Sequence, residues 1–250
     1  DNFNLSYKRF KAQTGKLYNE FNDKLVLEVG SGAGRFSNAL LSNSNVKLHS
    51  VDLSNAVDAN RKNNKKYINK NLFLYQADVY NLPFNDNSFD YVFCFGVLQH
   101  TPDIEKTIYN LISKAKKNGE VVVDFYPIKG WYTKIHAKYI LRNLTNKLSN
   151  ERLLKIIKFN VGWLSMVYIF LKKIKLGFLT RFLPICDFDT KIISSLNKKD
   201  LMEWIALDTF DQYSTKYDSP QKIMKIKKIF EKYNMNVTFA NFIKFRNWLD

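Results

Sequence analysis

Five short, continuously apolar runs recur through the first half of this 250-residue chain, each set apart by a polar or helical stretch. They are LVLEV (25–29), VKLHSVD (46–52), LFLYQAD (72–78), FDYVFCF (89–95) and EVVVDFY (120–126). Runs this uniformly apolar predict strands buried on both faces, which is the signature of a parallel sheet covered by helices. Parallel strands need long crossovers, and the stretches near 34–42, 55–68 and 103–117 read as helices that supply them. Pro83 closes the turn after the third run, and a helix over 8–21 precedes the first, with Phe10, Leu17, Tyr18 and Phe21 roughly on one side. The expected class is α/β, a doubly wound and mainly parallel sheet.

The rhythm stops at Pro127. From 128 to about 215 the pattern is helical, with helices expected at 131–146, 150–174 and 198–207. Ser219-Pro220 opens another amphipathic helix over 220–233, and NVTFANFIKF (236–245) reads as one or two terminal strands. The organisation expected is a core over 1–127, a helical insert over 128–215, and a return to the core over 216–250.

Charge follows the same division. The chain carries 39 Lys+Arg against 23 Asp+Glu, a net +16, which invites a polyanionic partner. Residues 1–125 hold 16 basic and 13 acidic side chains, whereas 129–181 hold 12 Lys/Arg and one acid, Glu151. A+T-rich coding drift would also raise Lys and Asn, but it would not spare one half of the chain. Two cysteines, Cys94 and Cys186, make no disulfide framework and fit a reducing compartment. The opening DNFNLSYKRF is polar and does not read as a secretory or transit peptide, so a cytoplasmic protein is expected. The longest apolar run, VGWLSMVYIFL (161–171), has 11 residues between Lys158 and Lys172. A span needs about 20, so a buried helix is expected there, with an interfacial helix as the alternative.

The chemistry concentrates at Glu28-Val29-Gly30-Ser31-Gly32-Ala33-Gly34-Arg35, between a strand and a helix. A dinucleotide fingerprint would place its third glycine where Arg35 stands, and a phosphate-binding loop would end in GK[ST]. Neither explains a carboxylate two residues before the first glycine. A ligand with a cationic amino group and no pyrophosphate does. Two further acids, Asp52 and Asp78, end the next two runs, at intervals of 24 and 26 residues. In an open α/β sheet the ligand lies beyond the carboxyl ends of the strands, where the three acids would converge.

On LEVGSGAGRF, HSVDLS, YQADVYNLPF and FGVLQH, the chain resembles the class I S-adenosylmethionine-dependent methyltransferases over roughly 24–126 plus the terminal helix and strand. The resemblance implies a seven-stranded Rossmann-like sheet and S-adenosylmethionine as cofactor, released as S-adenosylhomocysteine. It implies that Glu28, Gly30, Ser31, Gly32 and Gly34 surround the methionine part, with the acid on the amino-group side. It further implies that Asp52 binds the ribose hydroxyls, that Leu53 lies against the adenine, and that Asp78 and Val79 read the adenine edge. Phe95 and Gly96 would sit beside the methionine moiety. A histidine is frequent in such enzymes after the fourth strand, which makes His100 the candidate catalytic base, with capping of the next helix as its alternative. His49, inside the second run, reads as a packing residue.

No metal is expected, because three scattered His and two distant Cys lack ligand spacing. FGVLQH stands where amino-directed DNA methyltransferases carry an Asn/Asp-Pro-Pro-aromatic tetrad, which disfavours that chemistry and leaves an RNA or nucleotide substrate compatible. Residues 131–185 interleave Lys/Arg with Trp, Tyr, Phe, Leu and Ile, fitting a small anionic acceptor such as a sugar linked to a lipid or nucleotide. Contact of 129–181 with a membrane, at its inner face, is a further expectation, and a plain helical lid is the alternative. LDTFDQYSTKYDSPQ (207–221) reads as an aromatic loop loosely similar to a segment of bacterial surface-glycan methyltransferases. Tyr126, Trp131, His136, Tyr213 and Tyr217 are the candidate acceptor contacts, with His136 also readable as a packing residue. A quinone or lipid-ring acceptor, a nicotinamide-dependent oxidoreductase on the same sheet, and an RNA- or membrane-binding module without activity are the rival readings.

Overall fold

A computed structural model describes residues 2–128, 130–188 and 197–241. The chain divides into two compact units, Asp1–Pro127 with Ser219–Asp250, and Ile128–Asp218. The first is built on five strands, β1 (Leu25–Val29), β2 (Lys47–Asp52), β3 (Leu72–Gln76), β4 (Phe89–Cys94) and β5 (Ala115–Val123). All neighbours pair in parallel, in the order β3-β2-β1-β4-β5. The chain steps outward from β1 to β3, then crosses back to lay β4 on the other side of β1. That reversal opens a crevice at the carboxyl ends of β1 and β4.

Helices α1 (Asn2–Thr14), α2 (Arg35–Leu41), α3 (Ala56–Asn63) and α4 (Ile104–Lys114) accompany the strands. Successive strand residues point to opposite faces, and the core divides accordingly. Val26 and Phe93 pack with Phe10 of α1 and with Phe36 and Leu40 of α2. Leu27, Val29, Val92 and Cys94 pack with Leu111 of α4 on the other side. Leu27, Leu48, Leu72 and Leu111 are fully buried, each worth roughly 2 kcal/mol of transfer free energy.

The second unit is helical, with α5 (Ala137–Thr145), α6 (Asn150–Lys173) and α7 (Lys198–Ser214). Ser149 caps α6 by accepting from Arg152 N–H, and Asn197 caps α7 by accepting from Asp200 N–H at 2.9 Å, satisfying N–H groups that a first turn leaves free. Leu153, Ile157, Val161, Leu164 and Tyr168 of α6 pack with Leu201, Ile205 and Tyr213 of α7. The last helix, α8 (Ile223–Lys232), returns to the first unit and packs Ile226, Ile229 and Phe230 with Ile104 and Ile108 of α4.

Several sequence expectations need correction. Among the described residues the sheet has five strands rather than seven. Residues 236–241 form no strand, and 242–250 lie outside the described residues. The first helix ends at Thr14 because Gly15 adopts φ +68 and donates its N–H to Lys11 O; Tyr18–Phe21 is a separate 3-10 turn. Helix α4 stops at Lys114 and β5 starts at once, with a register shift where it meets β4 between Phe89 and Tyr91. The segment 131–146 is a 3-10 turn, Trp131–Lys134, followed by α5. Helix α7 runs seven residues beyond the expected end, so 207–214 is helix rather than loop. Helix α6 begins well before the 11-residue apolar run, and at 24 residues it is long and apolar enough to cross a membrane by length and composition.

Candidate active site

The loop after β1 is held from behind. Gly30 and Ser31 both donate their N–H to Val51 O, at 2.7 and 3.0 Å, and Gly34 N–H closes a turn onto Ser31 O. Gly34 has φ +79, and a Cβ there would stand 2.0 Å from Asn60 Oδ1. Only glycine fits this approach between the loop and α3. At Gly32 a Cβ would meet nothing within 4 Å. The loop is therefore packed at Gly34 and open at Gly32, which is where a ligand can reach its backbone.

Glu28 lies on the α1–α2 side of β1 and is buried to 1% exposure. Its Oε2 accepts hydroxyl hydrogen bonds from Ser37 and Ser50, the latter at 2.7 Å. Asn60 stands behind both serines and donates to them at 3.1 and 3.3 Å. Glu28 Oε1 is buried without a hydrogen-bond partner. Burial pushes the carboxyl up from its ordinary 4.5 to about 7, against the two serine hydroxyls that favour its charged form. The orphaned oxygen leaves room for one further hydrogen-bond donor, and a cationic donor would favour the charged form that burial disfavours.

The second acid is already engaged with the loop. Asp52 Oδ2 accepts Gly32 N–H at 2.7 Å, while Oδ1 accepts the N–H and hydroxyl of Ser54. Its neighbour Leu53 is 67% exposed, a large apolar side chain left bare beside the crevice. Asp78 accepts Tyr80 N–H at 2.9 Å through Oδ1, and Val79 is buried. Phe95 packs edge-on against Phe10 and Phe36. Gly96 donates its N–H to Asp124 at the end of β5.

Asp124 was not singled out in the sequence. Its Oδ2 also accepts Arg9 Nη2 at 3.0 Å and Gln13 Nε2 from α1. Helix α1 is thereby tied to the turn that follows β4. Ser37, Ser50 and Asn60 were missed as well. Ser37 and Ser50 are small polar residues inside α2 and β2 and Asn60 sits in a polar helix, so only their burial marks them.

His100 ends a 3-10 turn, Leu98–His100, and its ring meets that of Tyr126 edge-on at 6.0 Å. Tyr126 is half exposed, and its carbonyl accepts Gln221 N–H at 2.9 Å. His49 sits among Phe73, Tyr75, Phe84 and Phe89, a packing position where burial lowers its pKa. In the second unit His136 caps α5, its Nδ1 accepting Lys138 N–H at 3.3 Å. Tyr213 lies at 2% exposure in the α6–α7 core, which removes it as an open stacking face. Tyr217 is partly exposed; the Trp131 side chain lies outside the described residues. Among the described residues, no group of three or more His, Cys, Asp or Glu side chains could hold a metal ion.

A 3-2-1-4-5 parallel sheet with a glycine loop after β1, a buried acid behind it, and acids ending β2 and β3 is the frame of the class I S-adenosylmethionine-dependent methyltransferases. Residues 27–123 match the family model described as Methyltransferase domain. Phosphoethanolamine N-methyltransferase 2 of Caenorhabditis elegans is 31% identical over 118 residues, covering 44% of this chain and 26% of that protein. A tRNA U34 carboxymethyltransferase of Aliarcobacter butzleri is 26% identical over 113 residues, covering 45% and 37%. The ubiquinone/menaquinone biosynthesis C-methyltransferase of Rickettsia felis is 32% identical over 125 residues, covering 46% and 49%. The matches thus span less than half the length of these relatives. Among solved structures, the YcgJ protein of Bacillus subtilis superposes with a TM-score of 0.43 at 22% identity, covering 60% of this chain and 58% of its own.

Proposed function

We propose that this protein is an S-adenosylmethionine-dependent methyltransferase that acts on a small acceptor, a sugar or a lipid- or nucleotide-linked precursor. The observation that carries the reading is the buried Glu28 carboxylate with one orphaned oxygen, two residues before a glycine loop that is open at Gly32. The fit to the cofactor is chemical. Glu28 suits an amino group, Asp52 suits a ribose, exposed Leu53 suits an adenine face, and Asp78 suits an adenine amino edge. When bound, S-adenosylmethionine supplies an electrophilic methyl on a positively charged sulfur.

What the chain itself does is hold and align. The Gly30–Gly34 loop, fixed to Val51 and Asn60, presents backbone at Gly32. Asp124 fixes Gly96 at the end of β4. Alignment of nucleophile, methyl and leaving sulfur supplies most of the rate in transfers of this kind. His100, which follows that turn with Tyr126 beside it, is the candidate to take a proton from an acceptor hydroxyl or amine. The transfer goes in line to an acceptor oxygen or nitrogen.

The three relatives act on unlike acceptors by their names, and the likeness to them covers less than half of this chain, so the acceptor is inferred from this chain's own residues. The 12 cations and single acid of 129–181 favour an anionic group, and the interleaved aromatic and aliphatic residues favour a lipid or a ring. Two buried free cysteines agree with work in the cytoplasm. Calorimetry with S-adenosylmethionine, S-adenosylhomocysteine and NADH is the first test. Binding of the first two and not the third supports the reading. Absence of cofactor binding together with tight, salt-dependent RNA binding overturns it in favour of a binding module.

A further inference from the structure

Helix α6 has two apolar faces, and among the described residues only one is covered. Leu153, Ile157, Val161, Leu164 and Tyr168 recur every three or four residues and are buried in the α6–α7 core. On the opposite side Ile156, Phe159, Trp163, Met166, Phe170 and Ile174 recur at the same spacing and stand open, Phe159 at 85% and Met166 at 66% exposure. At about 1.5 Å of rise per residue this bare stripe runs roughly 27 Å. Three phenyl or indole rings on one exposed stripe exceed the scattered apolar exposure of an ordinary soluble surface.

Cations frame it. At about 100° of turn per residue, Lys155 and Lys173 fall beside the stripe's Met166 edge and Arg152 falls in line with its first turn. Lys175 follows at its end, and all four are exposed; Lys172 lies on the covered side, its Nζ over the Tyr168 ring at 5.4 Å. Among the described residues no acid pairs with Lys155 or Lys173, and Lys158 reaches Glu203 only at 4.0 Å. The 3-10 turn Gly177–Phe182 that follows adds Phe178 and Phe182, both exposed.

We propose that this face of α6 lies flat on an anionic membrane surface, its rings in the acyl boundary and its lysines among the headgroups. The chemistry matches an interfacial helix, apolar on one side and basic at its margins, with aromatic rings at the depth where they are favoured. A second copy of the chain fits poorly, because pairing this face with itself would set Lys155 and Lys173 against like charges. A transmembrane orientation fits poorly as well. It would draw the covered face out of its core, where Tyr168 Oη donates to Phe188 O at 3.2 Å. The proposal goes beyond methyl transfer and does not depend on it.

The test uses the whole chain and sedimentation with vesicles. The protein is expected to sediment with equimolar phosphatidylcholine–phosphatidylglycerol vesicles, to be released by high salt, and to stay behind with pure phosphatidylcholine. Phe159→Ser/Phe170→Ser and, separately, Lys155→Glu/Lys173→Glu are each expected to weaken partitioning by at least about tenfold. Trp163 emission should shift to the blue on the anionic vesicles, and Trp163→Phe should abolish that shift. All these positions are exposed, and circular dichroism confirms the fold of each variant; should the serine pair misfold, the charge-reversed pair carries the test. Equal partitioning of wild type and both double variants overturns the proposal. So does resistance to alkaline carbonate extraction, the mark of a span, or a dimer dissolved by Phe159→Ser/Phe170→Ser in a protein that ignores vesicles. Cofactor calorimetry on the same samples, without vesicles, separates failure here from failure of the methyltransferase reading.

Discussion

Asp124, at the end of β5, accepts the backbone N–H of Gly96, at the end of β4, and binds Arg9 of α1 with its second oxygen at 3.0 Å. One carboxylate therefore fixes the turn on one side of the crevice and the helix that packs over it. Asp124→Ala leaves the Gly96 N–H and the Arg9 guanidinium without their acceptor. The expected loss is about 1–3 kcal/mol in urea unfolding, together with weaker S-adenosylmethionine binding by calorimetry. Asp124→Asn keeps an oxygen for Gly96 and should recover most of the cofactor affinity while the ion pair stays lost. Equal affinity in all three proteins would show that Asp124 only braces α1.

Glu28 gives a prediction with a definite sign in pH. Its folded pKa, about 7, lies above the ordinary 4.5, so the folded state favours the neutral acid. Stability from this group is intact below about pH 4.5 and is lost as pH rises through about 7. Relative to wild type, Glu28→Gln should be equally stable near the acid end and more stable by about 3 kcal/mol above neutrality. Urea unfolding at several pH values checks this, and parallel curves would refute it. Cofactor affinity should move the other way, because the glutamine cannot pair with an ammonium group. A variant that folds better and binds worse is the signature of a binding carboxylate.

Four strands, β5 from Glu120 onward, and the acids at or near the ends of β1, β2 and β3 were legible because each is a local pattern. A buried parallel strand must be continuously apolar, and the residue that leaves it must be polar. What stayed hidden depends on contacts far apart in sequence. Asp124 meets Arg9 across 115 positions and Gln13 across 111, and no spacing rule joins them. Asn60 is fully buried although its helix is polar. The far half of α7 read as loop because Thr209 and Tyr213 continue its buried stripe after Leu201 and Ile205 with polar-capable side chains. The bare face of α6 had an apolar pattern that was legible, but which of its two faces is covered only the packing with α7 reveals.

Two glycines of the same loop, Gly32 and Gly34, offer a contrast. Gly34→Ala must drive a methyl into Asn60 and Asn64 at positive φ, and the expected cost is about 2–4 kcal/mol of folding stability. Gly32→Ala also holds a positive φ but meets nothing within 4 Å, so about 1–2 kcal/mol is expected. Cofactor binding should rank the other way per unit of stability lost, with Gly32→Ala folded and unable to bind. Thermal melts in the presence and absence of S-adenosylmethionine separate the two. A ligand-induced rise in the Gly32→Ala melt equal to that of wild type would mean that no ligand approaches the loop there.

The second unit contains a buried charge cluster beside its apolar core. The Asp218 side chain, 1% exposed, accepts from Arg142 at 2.9 Å and lies 3.1 Å from Lys138 Nζ, while Arg142 also donates to Gln212 O at 2.6 Å. Removing one partner of such a set leaves uncompensated charge in a dry place. Asp218→Asn is expected to cost about 3–5 kcal/mol in the unfolding of this unit, and Arg142→Met/Asp218→Leu together should cost less than either single change. A double variant as damaged as the sum of the singles would assign the cluster a role other than charge compensation.

His100 is tested by its rate and not by binding. It follows the Gly96 turn, and its ring meets Tyr126, on the strand ends where an acceptor would sit. If it takes the acceptor's proton, His100→Ala lowers kcat by roughly a hundredfold or more, leaves S-adenosylmethionine affinity unchanged, and removes the acid limb of the pH–rate profile. Tyr126→Phe should keep most of kcat, since the ring contact with His100 survives the loss of the hydroxyl. His100→Gln distinguishes a base from a cap: glutamine can hydrogen-bond locally but cannot accept the proton at neutral pH, so restored turnover in that variant assigns His100 to the turn. Turnover within a few-fold of wild type in His100→Ala would leave alignment by the Gly32 and Gly96 turns to carry the reaction.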